Sequence, residues 1–67
     1  MNVYLLRAKM YERKMSVSAL SESIGIDAST FYRKVNEDGK KFTVAQARAM
    51  ASLLKLTPEE TREIFFS

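Results

Sequence analysis

Sixty-seven residues without a single cysteine or histidine make at most one domain, and they exclude disulfides, thiolate metal sites and the usual neutral-pH general base. Hydrophobic residues at 46% and charged residues at 28% exclude a disordered chain and suit a soluble globule. The net charge is +3 and the pI about 9.5, yet nine Lys/Arg face five Asp/Glu as far as Arg48 and two face three beyond it. The first two thirds of the chain is therefore where a polyanion would bind.

The opening stretch MNVYLLRAKMYERKM has too short an apolar run for a signal peptide or a membrane span, so a cytoplasmic protein is expected. Pro58 is the sole proline, Gly25 and Gly39 are the only glycines, and no period-two alternation appears. The chain reads as all-α.

The spacing predicts a first helix over Val3–Lys14 with Asn2 as its N-cap. Val3, Leu6, Met10 and Tyr11 fall on or beside one face. Arg7, Lys9, Arg13 and Lys14 lie largely off it, as a solvated face from which one of them could touch phosphate. A second helix starts after Ser16, with Val17, Leu20 and Ile24 as its apolar stripe. Gly25 ends it, because the turn needs a residue without a Cβ that can take positive φ. Ile26 is the buried plug of the turn and Asp27 the next N-cap. A third helix follows over Ala28–Val35, burying Phe31 and Val35. Asn36–Phe42 is a loop. Thr43 and Gln46 form a capping box that opens a fourth, alanine-rich helix, with Val44, Ala47, Met50, Ala51 and Leu54 inward. Thr57 and Glu60 form a second box, with Pro58 in the first turn of a fifth helix. Glu59, Glu60 and Glu63 complement its dipole and suggest no catalytic pairing. The fifth helix ends in Ile64, Phe65 and Phe66. Two adjacent phenylalanines cannot both enter one core face, so one is expected to close the domain and the other to stay partly exposed, open to a dimer contact.

The expected architecture is one domain over 1–67, a compact five-helix bundle. Its second and third helices, joined by the short turn at Gly25, form a helix-turn-helix. Packing by Leu20, Ile24, Ile26 and Phe31 leaves Ala28, Ser29, Tyr32, Arg33 and Asn36 on the outer face of the third helix. In this geometry that helix enters the DNA major groove and its N-terminal residues meet base edges. Arg33 can bridge the O6 and N7 of guanine, a contact that discriminates by about 1–3 kcal/mol. Ser29 and Thr30 can donate to bases or phosphates, and Tyr32 can reach a phosphate or a thymine methyl. Lys34, Lys40 and Lys41 would sit near the backbone and release counterions. The helix amides behind Ser16 and Thr43 could also hold phosphates. Asp27, at the mouth of the third helix, is counted with this DNA-facing set.

On these residues the chain resembles the Cro/repressor-type, XRE-like (lambda-repressor-like) helix-turn-helix regulators. The resemblance runs from about Leu6 to Phe66 and looks closest to small phage-encoded regulators of Gram-positive bacteria. The core LSESIGIDASTFYRK carries it, and FTVAQARAMASLLKLTPEETREIFF supports it from outside the motif. It implies that Ser16 and Val17 open the second helix where the family touches phosphate. It also implies that Ala28, Ser29 and Arg33 take base-reading positions, with Thr30 and Tyr32 beside them. Three departures stand out. Val17 replaces a frequent glutamine and cannot hydrogen-bond. Ser21 replaces a customary alanine at the tight helix–helix contact. Lys34 stands where an apolar residue is usual, with Val35 taking over.

The expected function is a sequence-specific transcriptional regulator of double-stranded DNA, a phage or prophage repressor acting by operator occupancy. A homodimer through Phe65 or Phe66, at least on DNA, goes with it. The competing reading is a protein-interaction module of the same fold, antirepressor-like or antitoxin-like, favoured by the apolar Val17 and Ala28. No enzymatic activity, cofactor, metal, small-molecule substrate or membrane partner is expected, since no nucleophile–base pair is available.

Overall fold

Every helix among the described residues begins on a side-chain oxygen that accepts from a first-turn amide, the group a helix leaves without an internal partner. The computed structural model describes residues 1–36 and 42–66. Its helices are α1 (Val3–Glu12), α2 (Val17–Ser23), α3 (Ala28–Asn36), α4 (Val44–Leu53) and α5 (Pro58–Phe65). Asn2 Oδ1 accepts from the Leu5 amide at 3.0 Å and Ser16 Oγ from Ala19 at 3.1 Å. Asp27 Oδ1 accepts from Thr30 at 2.7 Å. Thr43 and Thr57 accept from Gln46 and Glu60, whose side chains accept in return from the Thr43 and Thr57 amides, so both expected capping boxes are present.

Three helices end in one way. Past α1 the Met15 amide donates to the Met10 carbonyl and the Lys14 amide to Tyr11. Past α2, Ile26 donates to Ser21 and Gly25 to Glu22; past α4, Leu56 donates to Ala51 and Lys55 to Ser52. Each is the paired bond of a Schellman cap, which puts one residue in the left-handed region. Those residues are Gly25 at φ +80°, Lys14 at +54° and Lys55 at +53°. The first helix therefore stops at Glu12 rather than running to Lys14, because Lys14 is the reversal itself.

The core joins all five helices: Leu6, Met10, Leu20, Phe31, Val35, Ala47, Met50, Leu54 and Ile64 are buried. Val17, Ile24, Ile26, Phe42 and Phe65 pack against it half-buried. Ile26 thus plugs the turn only in part. Tyr11 is 88% exposed, outside the expected apolar face. It follows Met10, which points inward, and one residue turns about 100° around a helix. Val44 is likewise 58% exposed rather than inward. The buried stripe of α4 is centred on Ala47, Met50 and Leu54, and Val44 lies about 60–120° from these. Of the terminal phenylalanines, Phe65 packs on the core and Phe66 is exposed, as expected. Ser21 is buried, and its hydroxyl donates to the Val17 carbonyl at 2.6 Å, so a serine at this position leaves no unsatisfied polar atom.

Two of the four cations expected to be solvated on α1 are instead part of the fold. Lys9 Nζ lies 2.6 Å from Glu60 on α5 and 3.4 Å from Glu12. The bond to Glu60 holds the Lys9 ammonium above its ordinary pKa, and the same bond, with the Thr57 amide, holds the Glu60 carboxyl below its own. Arg13 Nε donates to the Leu54 carbonyl at 3.0 Å, closing the C-terminus of α4.

Candidate nucleic-acid interface

The geometry of α3 follows from what it buries. Phe31 and Val35, four residues apart, sit 3% and 7% exposed on the core side. Ser29, Tyr32, Arg33 and Asn36 are exposed on the other side, with Ala28 and Thr30 half-buried at its edges. The Phe31 ring is pinned by Phe42 at a centroid distance of 5.6 Å and meets Tyr32 edge-on at 6.4 Å. The face turned to solvent thus rests on a fixed aromatic base.

Asp27 and Thr30 satisfy each other. Bonds from the Thr30 hydroxyl and amide hold the Asp27 carboxyl below its usual range, and the charge of Arg33 adds to this. Asp27 therefore stays ionised at the mouth of α3, where its bonds go to the helix itself. The exposed polar groups of the outer face are then Ser29, Tyr32, Arg33 and Asn36.

Ser16 is exposed, with its oxygen engaged at the Ala19 amide. Val17, next to it, packs half-buried against the core. Thr43 is exposed, but its amide donates to Gln46 Oε1 at 3.0 Å and its hydroxyl oxygen takes the Gln46 amide. The capping box thus occupies two of the groups that a phosphate at this helix end would need. Lys40 and Lys41 lie outside the described residues. Lys34 is half-buried, its ammonium 5.8 Å from the centroid of the Phe42 ring. Its stem covers apolar surface while its charge meets an aromatic face, so a lysine fits where an apolar residue was expected.

Three residues outside the expected set border this surface. Tyr4 and Arg7 share a groove with Val35 and Asn36. Arg7 also shares a second groove with Val17 and Tyr32. Tyr11 lies beside Ser16 in a third. The signal that could have found them is the spacing of Tyr4, Arg7 and Tyr11 by three and four, on a helix whose apolar stripe leaves them out.

A capped helix, a left-handed turn and a second helix with a polar, cation-bearing outer face define a helix-turn-helix DNA-binding fold. The family model of the Cro/C1-type HTH DNA-binding domain matches residues 6–63. The chain belongs to that family. No curated relative and no solved structure matches it significantly. No helix among the described residues is long and apolar enough to cross a membrane.

Proposed function

We propose that the chain is a sequence-specific transcriptional regulator, a phage or prophage repressor that occupies an operator in cytoplasmic double-stranded DNA. The observation that carries this reading is the outer face of α3, where Ser29, Tyr32, Arg33 and Asn36 project into solvent while Phe31 and Val35 anchor the helix. Arg33 is the base reader, bridging a guanine edge. Ala28 and Ser29 approach the bases from the N-terminal end of α3, with Thr30 and Tyr32 beside them. Ser16, Val17, Asn36, Lys40, Lys41 and Thr43 border the backbone. Asp27 contributes by fixing the start of α3. Phe66, 54% exposed at the end of α5, is the contact through which two copies meet on half-sites about 34–36 Å apart. Repression is steric and calls for no catalysis and no cofactor. The packing of Val17 against the core accounts for its apolar character without a protein partner.

Fluorescence anisotropy tests the reading, using duplexes from the gene's own upstream region beside a mixed-sequence duplex at several salt concentrations. One fragment binds far more tightly than the mixed duplex, and its affinity falls steeply with salt. Arg33→Ala loses about 1–3 kcal/mol of that discrimination. Unchanged selectivity in Arg33→Ala would remove α3 from the reading. Absence of any binding at low salt by the folded protein would replace the reading with a protein-interaction module.

A further inference from the structure

The four cations of α1 and the turn that ends it divide by direction. Lys9 and Arg13 turn towards α5 and α4, where Glu60 and the Leu54 carbonyl hold them. Arg7 and Lys14 turn away, and neither forms an ion pair among the described residues. Tyr4 and Tyr11 stand with them, 89% and 88% exposed. A tyrosine is large and half apolar, and α1 places two of them almost fully in water, seven residues apart on one line with Arg7 between. Core packing does not explain this, because Leu6 and Met10 form the buried stripe of the helix. Glu12, next to Tyr11 in the chain, lies 3.4 Å from the Lys9 ammonium.

The line borders the described part of the candidate DNA surface at Asn36, Tyr32 and Ser16. Tyr4 and Arg7 share a groove with Asn36, Arg7 shares another with Tyr32, and Tyr11 and Lys14 share a third with Ser16. From Tyr4 to Tyr11 the helix advances about 10 Å at about 1.5 Å per residue. One DNA strand carries a phosphate about every 3.4 Å of duplex axis, so the line spans about three. Cations for the charge and phenol hydroxyls for the oxygens are the groups that position a protein on a sugar–phosphate backbone.

We infer that Tyr4, Arg7 and Tyr11 on α1, with Lys14 in the turn that follows it, form a rail that binds the sugar–phosphate backbone of the duplex flanking the bases read by α3. The rail rests on the reading of α3 as the DNA-reading helix. It carries no sequence information of its own and adds equally to operator and non-operator binding.

The test compares salt dependence in anisotropy titrations on an operator duplex and a mixed-sequence duplex. Arg7→Gln combined with Lys14→Gly removes both charges, and glycine suits the left-handed backbone at residue 14. The slope of log affinity against log salt falls by about 2 on both duplexes, about 0.9 for each phosphate no longer neutralised. Tyr4→Phe and Tyr11→Phe keep the rings and each lower affinity by about 2–10-fold on both duplexes. Lys9→Gln removes one charge from the other side of the same helix and leaves the slope unchanged. An unchanged slope in the double variant, with salt-dependent wild-type binding and lost discrimination in Arg33→Ala, would overturn the rail and leave the role of α3 standing. Loss of self-association in sedimentation, with DNA binding intact, would also overturn it and make this face a contact between two copies. A wild-type protein that binds no duplex would overturn both.

Discussion

Gly25 sits at φ +80°, and a Cβ built on it meets nothing within 4 Å. The demand for a residue without a Cβ is thus conformational rather than steric: the second and third helices leave room for a side chain but impose a backbone that most side chains resist. Gly25→Ala should cost about 1–2 kcal/mol in urea denaturation. Gly25→Asn should cost less, because asparagine visits the left-handed region more readily. Equal losses for the two would mean that an unfilled space, and not the backbone angle, is what matters there. The same separation of shape from chemistry applies to Ser21 and Lys34. Each stands where the resemblance implies an apolar residue, and each meets a local partner, the Val17 carbonyl for one and the Phe42 ring for the other.

Helix starts and helix stops differ in how readily the sequence reveals them. Asn2, Ser16, Asp27, Thr43 and Thr57 declare a start because the side chain itself makes the bond. A Schellman stop is made by backbone, so residue type announces it only when glycine is present. Gly25 is therefore legible, while Lys14 and Lys55 are not, and the sequence pattern carries α1 two residues too far. Lysine in the left-handed region carries a penalty of about 1–2 kcal/mol, and glycine's extra freedom when unfolded returns about 0.5–1 of it. Lys55→Gly should therefore raise stability by up to about 1 kcal/mol, read as a higher midpoint in urea at unchanged slope. The outer face of α3 is legible through Phe31 and Val35, whose spacing fixes what must point away. The sorting of the α1 cations is not, because the partner of Arg13 lies 41 residues along the chain and that of Lys9 lies on α5. Only tertiary packing brings them together.

At the scale of the molecule, α1 and α5 are tied by charge as well as by apolar contact. Glu60 is held below its ordinary value of 4.5 and Asp27 below 3.8, whereas Lys9 is held above 10.5. A lowered carboxyl contributes stability above its unfolded value and loses it as pH falls through the folded one; a raised ammonium contributes below 10.5 and loses it as pH rises through its folded value. Thermal melts should thus be level through neutral pH and fall below about pH 4.5. Glu60→Gln keeps the capping box, since Gln46 fills the same role in α4. It removes the charge, so it should lower the neutral plateau and make the acid decline shallower, with Asp27 sustaining the remainder. One further tie lies between the same helices: the Asn2 amide donates to the Ile64 carbonyl at 2.8 Å. Tension applied at the two ends of the chain would therefore pass across this bond and the Lys9–Glu60 pair, and would bypass α2 and α3 until both ties had broken. The segment between them is mechanically sheltered, so a pull that parts the ends leaves the helix-turn-helix slack while α1 and α5 come away.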